Sequence, residues 1–250
     1  MKLLDGKVVL ITGAGRARGI GKATAALFVA HGARVVLLDL DEAEVRLAAD
    51  EVGGDSIGFA CDVTSRTNCQ TTVDQALAWG GRIDVLVNNA GLTQKRPIAD
   101  VSDADYTLIT DVVLKGTLQM SQAVIPAMRS QRSGSIVCVA SMSAQQGGGV
   151  FGGAHYCAAK AGVLGLMRAM AQELGPDNIR ANAVSPGLIL TDFSRSGSSD
   201  ESKHEKAQAW PLRRAGSPSE VAGACLFLAS DLSSFVTGST VDVNGGAYMR

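Results

Sequence analysis

Short apolar runs punctuate this 250-residue chain, and almost every one leads into a longer segment with apolar residues at helical spacing. KVVLI (7–11) precedes a helical pattern at 20–31, RVVLL (34–38) one at 42–52, and IGFAC (57–61) one at 65–79. DVLVN (84–88) precedes a long pattern at 103–129, and SIVCVA (135–140) one at 156–174. RANAVS (180–185) leads through an irregular stretch to 218–229, and STVDV (239–243) closes the series. The runs are continuous rather than alternating, as strands are when both faces are covered by helices. Seven such strands predict a doubly wound α/β fold: a seven-stranded parallel sheet with helices on both faces, in one domain over 1–250. No internal repeat or interdomain linker interrupts it.

One segment breaks the rhythm. FSRSGSSDESKHEKAQAWPLRR (193–214) is polar, charged and serine-rich. Two readings stay open: a solvated surface loop, or a substrate lid over about 190–215. Trp210 would either fold down onto a substrate or anchor the loop.

Composition narrows the function classes. Hydrophobic residues make up 46% and charged residues 19%, the balance of a folded globular chain. The net charge is −1 with both signs scattered, so no basic stripe marks a nucleic-acid partner. No apolar run reaches the ~18 residues of a membrane span. The opening MKLLDGKVVLITG places Asp5 and Lys7 before the first apolar run and reads as fold rather than signal peptide. The cysteines at 61, 69, 138, 157 and 225 show no CxxC spacing. Cys61, Cys138 and Cys225 lie in apolar contexts, which suits buried thiols in a reducing, cytoplasmic compartment. His31, His155 and His204 are isolated, so no metal site is expected.

The chemistry begins where the first run ends, in TGAGRARGIGKA. Gly13, Gly19 and Gly21 stand at a strand-to-helix turn, where glycine permits tight turning and close approach to a pyrophosphate on the helix N-terminus. A glycine pattern alone is weak, but here a strand precedes it, a helix follows, and an acid lies beyond. Asp39 ends the second run, 18 residues after Gly21, near the ~20 expected for a carboxylate that grips a ribose 2′-hydroxyl. That carboxylate would repel a 2′-phosphate, whereas Arg16 and Arg18 would attract one. Asp39 would have to share space with the phosphate, so NAD is expected over NADP. A second pattern, AHYCAAKAG, sets Tyr156 and Lys160 on one helical face.

Taken in order, these segments resemble the short-chain dehydrogenase/reductase family over essentially the whole chain. TGAGRARGIG is similar to its glycine motif with two residues inserted. Asp62–Val63 resembles its adenine-contacting pair, NNAG (88–91) the segment backing the cofactor, and Tyr156 with Lys160 its YxxxK pair. NAVSPGLILT (182–191) resembles its PG segment, and the chain from Pro211 onward its usual C-terminus. The resemblance implies cofactor contacts from Gly13, Arg18, Gly19, Ile20, Gly21, Asp39, Leu40, Asp62 and Val63. It extends them through Asn89, Ala90, Gly91, Tyr156 and Lys160 to Pro186, Gly187, Ile189 and Thr191. It also implies a homotetramer and a small ketone or alcohol as substrate.

The implied chemistry is hydride transfer with Tyr156 as proton donor or acceptor. A lysine ammonium and an oxidised nicotinamide both favour phenolate, lowering the phenol from its usual ~10. A serine hydroxyl would hydrogen-bond the substrate oxygen. Ser141 ends the fifth run, where ligands bind in such folds, while the family's usual spacing points to Ser143. Ser141 is taken as catalytic and Ser143 as a substrate-side neighbour, with the difference absorbed by the glycines of QQGGGVFGG. Further substrate walls are Gln94, residues 142–151 and His155, and the glycines at 147, 148, 149, 152 and 153 suggest room beside Tyr156. His155 equally reads as a surface residue at a helix start. One departure stands out: DVVLKGT puts Val113 where the family has an asparagine in a water-linked proton relay. The expected activity is therefore interconversion of a secondary alcohol and a ketone with NAD(H). The alternatives are a 3-oxoacyl-acyl-carrier-protein reductase, a cofactor-binding protein without turnover, and a Rossmann-type methyltransferase, which leaves Tyr156, Lys160 and the PG segment unexplained.

Overall fold

The computed structural model of the protein describes residues 2–148, 152–193 and 199–249. Its strands are β1 Val8–Thr12, β2 Arg34–Asp39, β3 Ser56–Ala60, β4 Val85–Asn88, β5 Gly134–Val139, β6 Ile179–Pro186 and β7 Thr240–Val243. They form one parallel sheet in the order β3-β2-β1-β4-β5-β6-β7. The chain steps outward from β1 to β3, returns to β4, and steps outward the other way. The reversal leaves a crevice beyond the C-terminal ends of β1 and β4, where such sheets bind ligands.

The helices are α1 Ile20–Ala30, α2 Glu42–Val52, α3 Arg66–Gly80, α4 Asp103–Thr110, α5 Gly116–Gln131, α6 Ser143–Gln146, α7 Ala154–Leu174, α8 Asp200–Ala207 and α9 Pro218–Ala229. Successive strand residues point to opposite faces, which explains the unbroken apolar runs. Val8 and Leu10 of β1 enter a core shared with Val73 of α3, Met120 of α5 and Met167 of α7. Val9 and Ile11 enter the other core, with Phe28 of α1, Val45 of α2 and Val221 of α9. All five cysteines are buried and free.

Two segments depart from the sequence pattern. The helix expected over 103–129 is divided by a π-helical turn at Asp111–Lys115, where the Gly116 N–H reaches back to the Asp111 carbonyl. One extra residue in a turn leaves the apolar pattern intact on both sides, so periodicity does not reveal it. The segment at 193–214 contains α8, capped by the Ser199 hydroxyl accepting from the Ser202 N–H. Only Lys203 and Ala207 of α8 are buried, too few to register as a period. Of the expected lid, 194–198 lie outside the described residues, as do 149–151 of the expected substrate wall. Among the described residues no helix is long and apolar enough to cross a membrane, and no His, Cys, Asp and Glu cluster could hold a metal ion.

Candidate active site

Thr12 ends β1 and hands the chain to the glycine loop. Gly13 has φ +66°, and a Cβ there would meet the Ala90 Cα at 2.8 Å. Gly21, in the first turn of α1, is equally confined: its Cβ would lie 2.6 Å from the Gly13 carbonyl oxygen. Asn89 stitches the two sides, its Nδ2 donating to the Thr12 and Gly13 carbonyls at 2.9 and 2.8 Å. The Thr12 hydroxyl accepts from the Asn89 and Ala90 N–H groups at 3.0 and 2.9 Å. Gly19 caps α1 without a side-chain bond, so the helix presents its first N–H groups as an anion site. At the end of β2 the Asp39 carboxylate is fixed by two N–H groups, Gly15 to Oδ2 and Leu40 to Oδ1, both at 2.8 Å.

A cleft of about 270 Å³ runs across these strand ends. Gly13, Gly19, Ile20, Asp39, Leu40, Asp62 and Val63 line one end, continuing through Asn89, Ala90 and Gly91. Pro186, Gly187, Ile189 and Thr191 line it further on, together with Ser141, Ser143, Tyr156 and Lys160. An uncapped helix start, backbones at their closest approach and a fixed carboxylate suit a dinucleotide: pyrophosphate over Gly19–Ile20 and ribose toward Asp39.

Tyr156 and Lys160 occupy the first two turns of α7, and both are buried. Burial pushes the Tyr156 phenol up to about 12, and a hydrogen bond from Ser141 works in the opposite direction. Burial also brings Lys160 down to about 8. Its Nζ donates to the Val139 carbonyl at 2.5 Å. Without nicotinamide, desolvation is the largest influence on the phenol and outweighs the groups that lower it. Both serines line the cleft; Ser141 is the one that acts on the phenol's proton affinity, and its Oγ accepts from the Ser143 N–H at 3.1 Å. Of the glycines expected to leave room, Gly147 and Gly148 have open space around them, Gly149 lies outside the described residues, and Gly152 and Gly153 are packed. A Cβ on Gly152 would fall 2.6 Å from the Tyr156 ring and 3.3 Å from the Ser143 hydroxyl, so that glycine is packed on the ring. Val113 is buried in the π turn, and its carbonyl accepts from the Thr117 hydroxyl at 2.7 Å.

Four expected site residues stand outside the lining. Gly21 lies beneath the glycine loop as packing. Arg18 turns away from the cleft to pair with Asp200 at 2.5 Å and Asp192 at 3.7 Å. Gln94 and His155 are paired with each other, His155 Nε2 to Gln94 Oε1 at 2.9 Å, and Gln94 Nε2 donates to Asp105 at 2.6 Å. His155 is 3% exposed, not a surface residue, and its Nδ1 has no hydrogen-bond partner. Phe193 falls in the expected lid, whereas sequence reasoning missed Cys61, Leu92, Thr93, Val112, Val139 and Ala140 as lining residues. Leu92 and Thr93 simply continue the NNAG segment, which is the signal that would have found them. Trp210 does line the cleft.

The matching family model, described as enoyl-(acyl carrier protein) reductase, covers residues 13–248. An uncharacterized short-chain type dehydrogenase/reductase of Sinorhizobium fredii is 50% identical over 252 residues, covering 99% of this chain and all of that protein. A 3-oxoacyl-[acyl-carrier-protein] reductase of Thermotoga maritima is 41% identical, covering 97% of this chain and 98% of its own length. Among solved structures, a short-chain type dehydrogenase/reductase from Mycobacterium marinum superposes with a TM-score of 0.92 at 35% identity, over 99% of this chain and 97% of that one.

Proposed function

The chain belongs to the short-chain dehydrogenase/reductase family of oxidoreductases, and from that premise we propose that it interconverts a ketone and a secondary alcohol with NAD(H). The observation that carries this reading is the meeting of Tyr156, Ser141 and, one turn on along α7, Lys160 in the same cleft as the glycine loop. Nicotinamide, when bound, supplies or accepts the hydride. In reduction the Tyr156 Oη gives its proton to the ketone oxygen while the Ser141 hydroxyl donates a hydrogen bond to the same atom. A buried phenol raised to about 12 carries its proton at neutral pH, which loads Tyr156 as the acid for ketone reduction. Lys160, held near 8 by burial, lines the same cleft, where it would hold the nicotinamide ribose.

Asp39 supports NAD over NADP, since its carboxylate lines the cleft on two fixed hydrogen bonds. Arg18 offers no opposing argument once it pairs with Asp192 and Asp200. A second reading, a 3-oxoacyl-acyl-carrier-protein reductase, is favoured by the name of the Thermotoga relative. Against it, Asp177 neutralises Arg129 and Arg132 at 2.8 and 2.7 Å, where an acidic carrier would need open positive charge. For assembly, exposed Tyr106, Leu108 and Leu118 on α4–α5 and Phe227, Leu232 and Phe235 near β7 support a homotetramer built on two faces.

The test is cofactor absorbance with NADH and then NADPH against β-keto esters, diketones and aryl ketones. Faster turnover with NADH supports the reading. Faster turnover with NADPH on carrier-type thioesters supports the second. Cofactor binding with no turnover on any member of the panel removes both.

A further inference from the structure

Among the described residues, the substrate-side lining beyond Lys160 is uncharged. Among the described residues the charged lining is Arg16, Asp39, Asp62 and Lys160. Asp39 ends β2 and Asp62 follows β3, at the far side of the sheet from β5 and β6. Arg16 donates to the Asp192 carbonyl at 3.1 Å, and Lys160 is 4% exposed with its Nζ on the Val139 carbonyl. Among the described residues no cation is left on the substrate side to meet a substrate carboxylate, and burying an unpaired charge is strongly unfavourable.

What remains beside Tyr156 is apolar and aromatic. Met142 follows β5 and Leu188 follows β6, both buried in the lining, and Phe193 and Trp210 line the same cleft half-buried. A Cβ on Gly91 would lie 3.7 Å from the Lys160 Nζ and 3.9 Å from the Phe193 ring, so that ring sits at the catalytic end. Trp210 follows α8, which is held in place by a cation: Lys203, 3% exposed, donates to the Thr191 carbonyl at 2.7 Å. Aromatic rings and a methionine sulfur favour an aromatic guest beyond its buried area.

Resting on the dehydrogenase/reductase reading above, we infer that the substrate is an uncharged ketone or secondary alcohol bearing an aryl group, held between Met142 and Leu188 on one side and Phe193 and Trp210 on the other. A carboxylate on that ring has no counter-ion, and a straight chain forgoes the ring contacts.

The experiment separates binding from turnover. With NAD⁺ present a ketone cannot react, so calorimetry reads its binding alone. The ligands are an aryl alkyl ketone, its ring-carboxylate analogue and a straight-chain ketone of equal carbon count. The aryl ketone should bind at least tenfold more tightly than the straight chain and about a hundredfold more tightly than the carboxylate. With NADH the same order should appear in kcat/KM. Trp210→Ala should shrink the aryl preference to within threefold, and Trp210→Phe should restore it. A carboxylate bound as well as the neutral ketone, or a preference untouched by Trp210→Ala, overturns the inference while leaving the dehydrogenase reading standing. Selective binding without turnover of any ketone would instead remove the functional reading and keep the ring-binding cleft. No ketone binding at all overturns the inference.

Discussion

Lys160→Met should stabilise the fold at neutral pH while abolishing the proposed activity. The lysine sits at about 8 in the folded protein against 10.5 for an exposed one. At ~1.4 kcal/mol for each tenfold change in proton affinity, the buried ammonium costs about 3 kcal/mol below pH 8. The variant also loses the hydrogen bond to Val139, worth about 1–2 kcal/mol. The net gain at pH 7 is then about 1–2 kcal/mol, or about 2–8 °C in Tm for a chain of this size. The sign with pH follows from which state holds the proton. The folded value is the lower one, so between about 8 and 10.5 the unfolded chain keeps a proton that the folded protein has released. Wild-type stability from this group therefore rises through that window, and the variant's advantage shrinks by about 3 kcal/mol and reverses. Tyr156 is present in both proteins and cancels. Equilibrium denaturant unfolding of both proteins from pH 7 to pH 10.5 measures the gap. A gap that does not change with pH would refute the claim that desolvation of Lys160 sets its proton affinity.

Three further outcomes are expected. Gly152→Ala should push the Tyr156 ring out of place, because the new Cβ would start 2.6 Å from it; kcat should drop about a hundredfold with little change in Tm, since a misplacement near 1 Å costs that much. Asp39→Ser should raise the NADPH-to-NADH ratio of kcat/KM by about 10- to 100-fold, mainly through weaker NADH binding, as expected for a lost charge-assisted hydrogen bond; an unchanged ratio would remove Asp39 as the selector. His155→Leu leaves Gln94 without its Nε2 partner and should lower Tm and kcat together, whereas His155→Gln, which keeps a donor at the Nε2 position, should recover most of both.

The sheet was legible because burial on both faces leaves near-continuous apolar runs such as Val8–Ile11, Val35–Leu38 and Ile136–Ala140, although β6 and β7 interrupt theirs with Asn182 and Asp242. Tyr156, Lys160, Asp39 and the glycines were legible because spacing along one chain fixes their relation. What sequence missed depends on side-chain direction. His155 and Gln94 are 61 positions apart and satisfy each other, which no local pattern announces. Arg18 looked like a phosphate ligand until Asp192 and Asp200 came within its reach. Gly152 read as empty space, although a glycine beside an aromatic ring is as often a close contact as a gap. The π turn hid for a related reason, since it changes backbone partners without disturbing the apolar stripe.

Two arginines of the glycine loop connect the cofactor end to Asp192 and α8. Arg16 lines the cleft and also donates to the Asp192 carbonyl, while Arg18 reaches Asp192 and Asp200. Arg18 is half exposed, so water screens its ion pairs and they do not hold α8 down by themselves. The buried anchor is Lys203 on Thr191, and Thr191 belongs to the same cleft lining as Arg16. Both connections therefore converge on the stretch from Thr191 to Asp192. A pyrophosphate settling on the α1 N-terminus would draw on Arg16, which is already bonded to that stretch. Filling the phosphate site and seating Phe193 and Trp210 over the reacting carbonyl thus share one short piece of backbone. On this geometry cofactor binding should precede productive substrate binding, because the ring-holding wall is anchored to the loop that the cofactor orders.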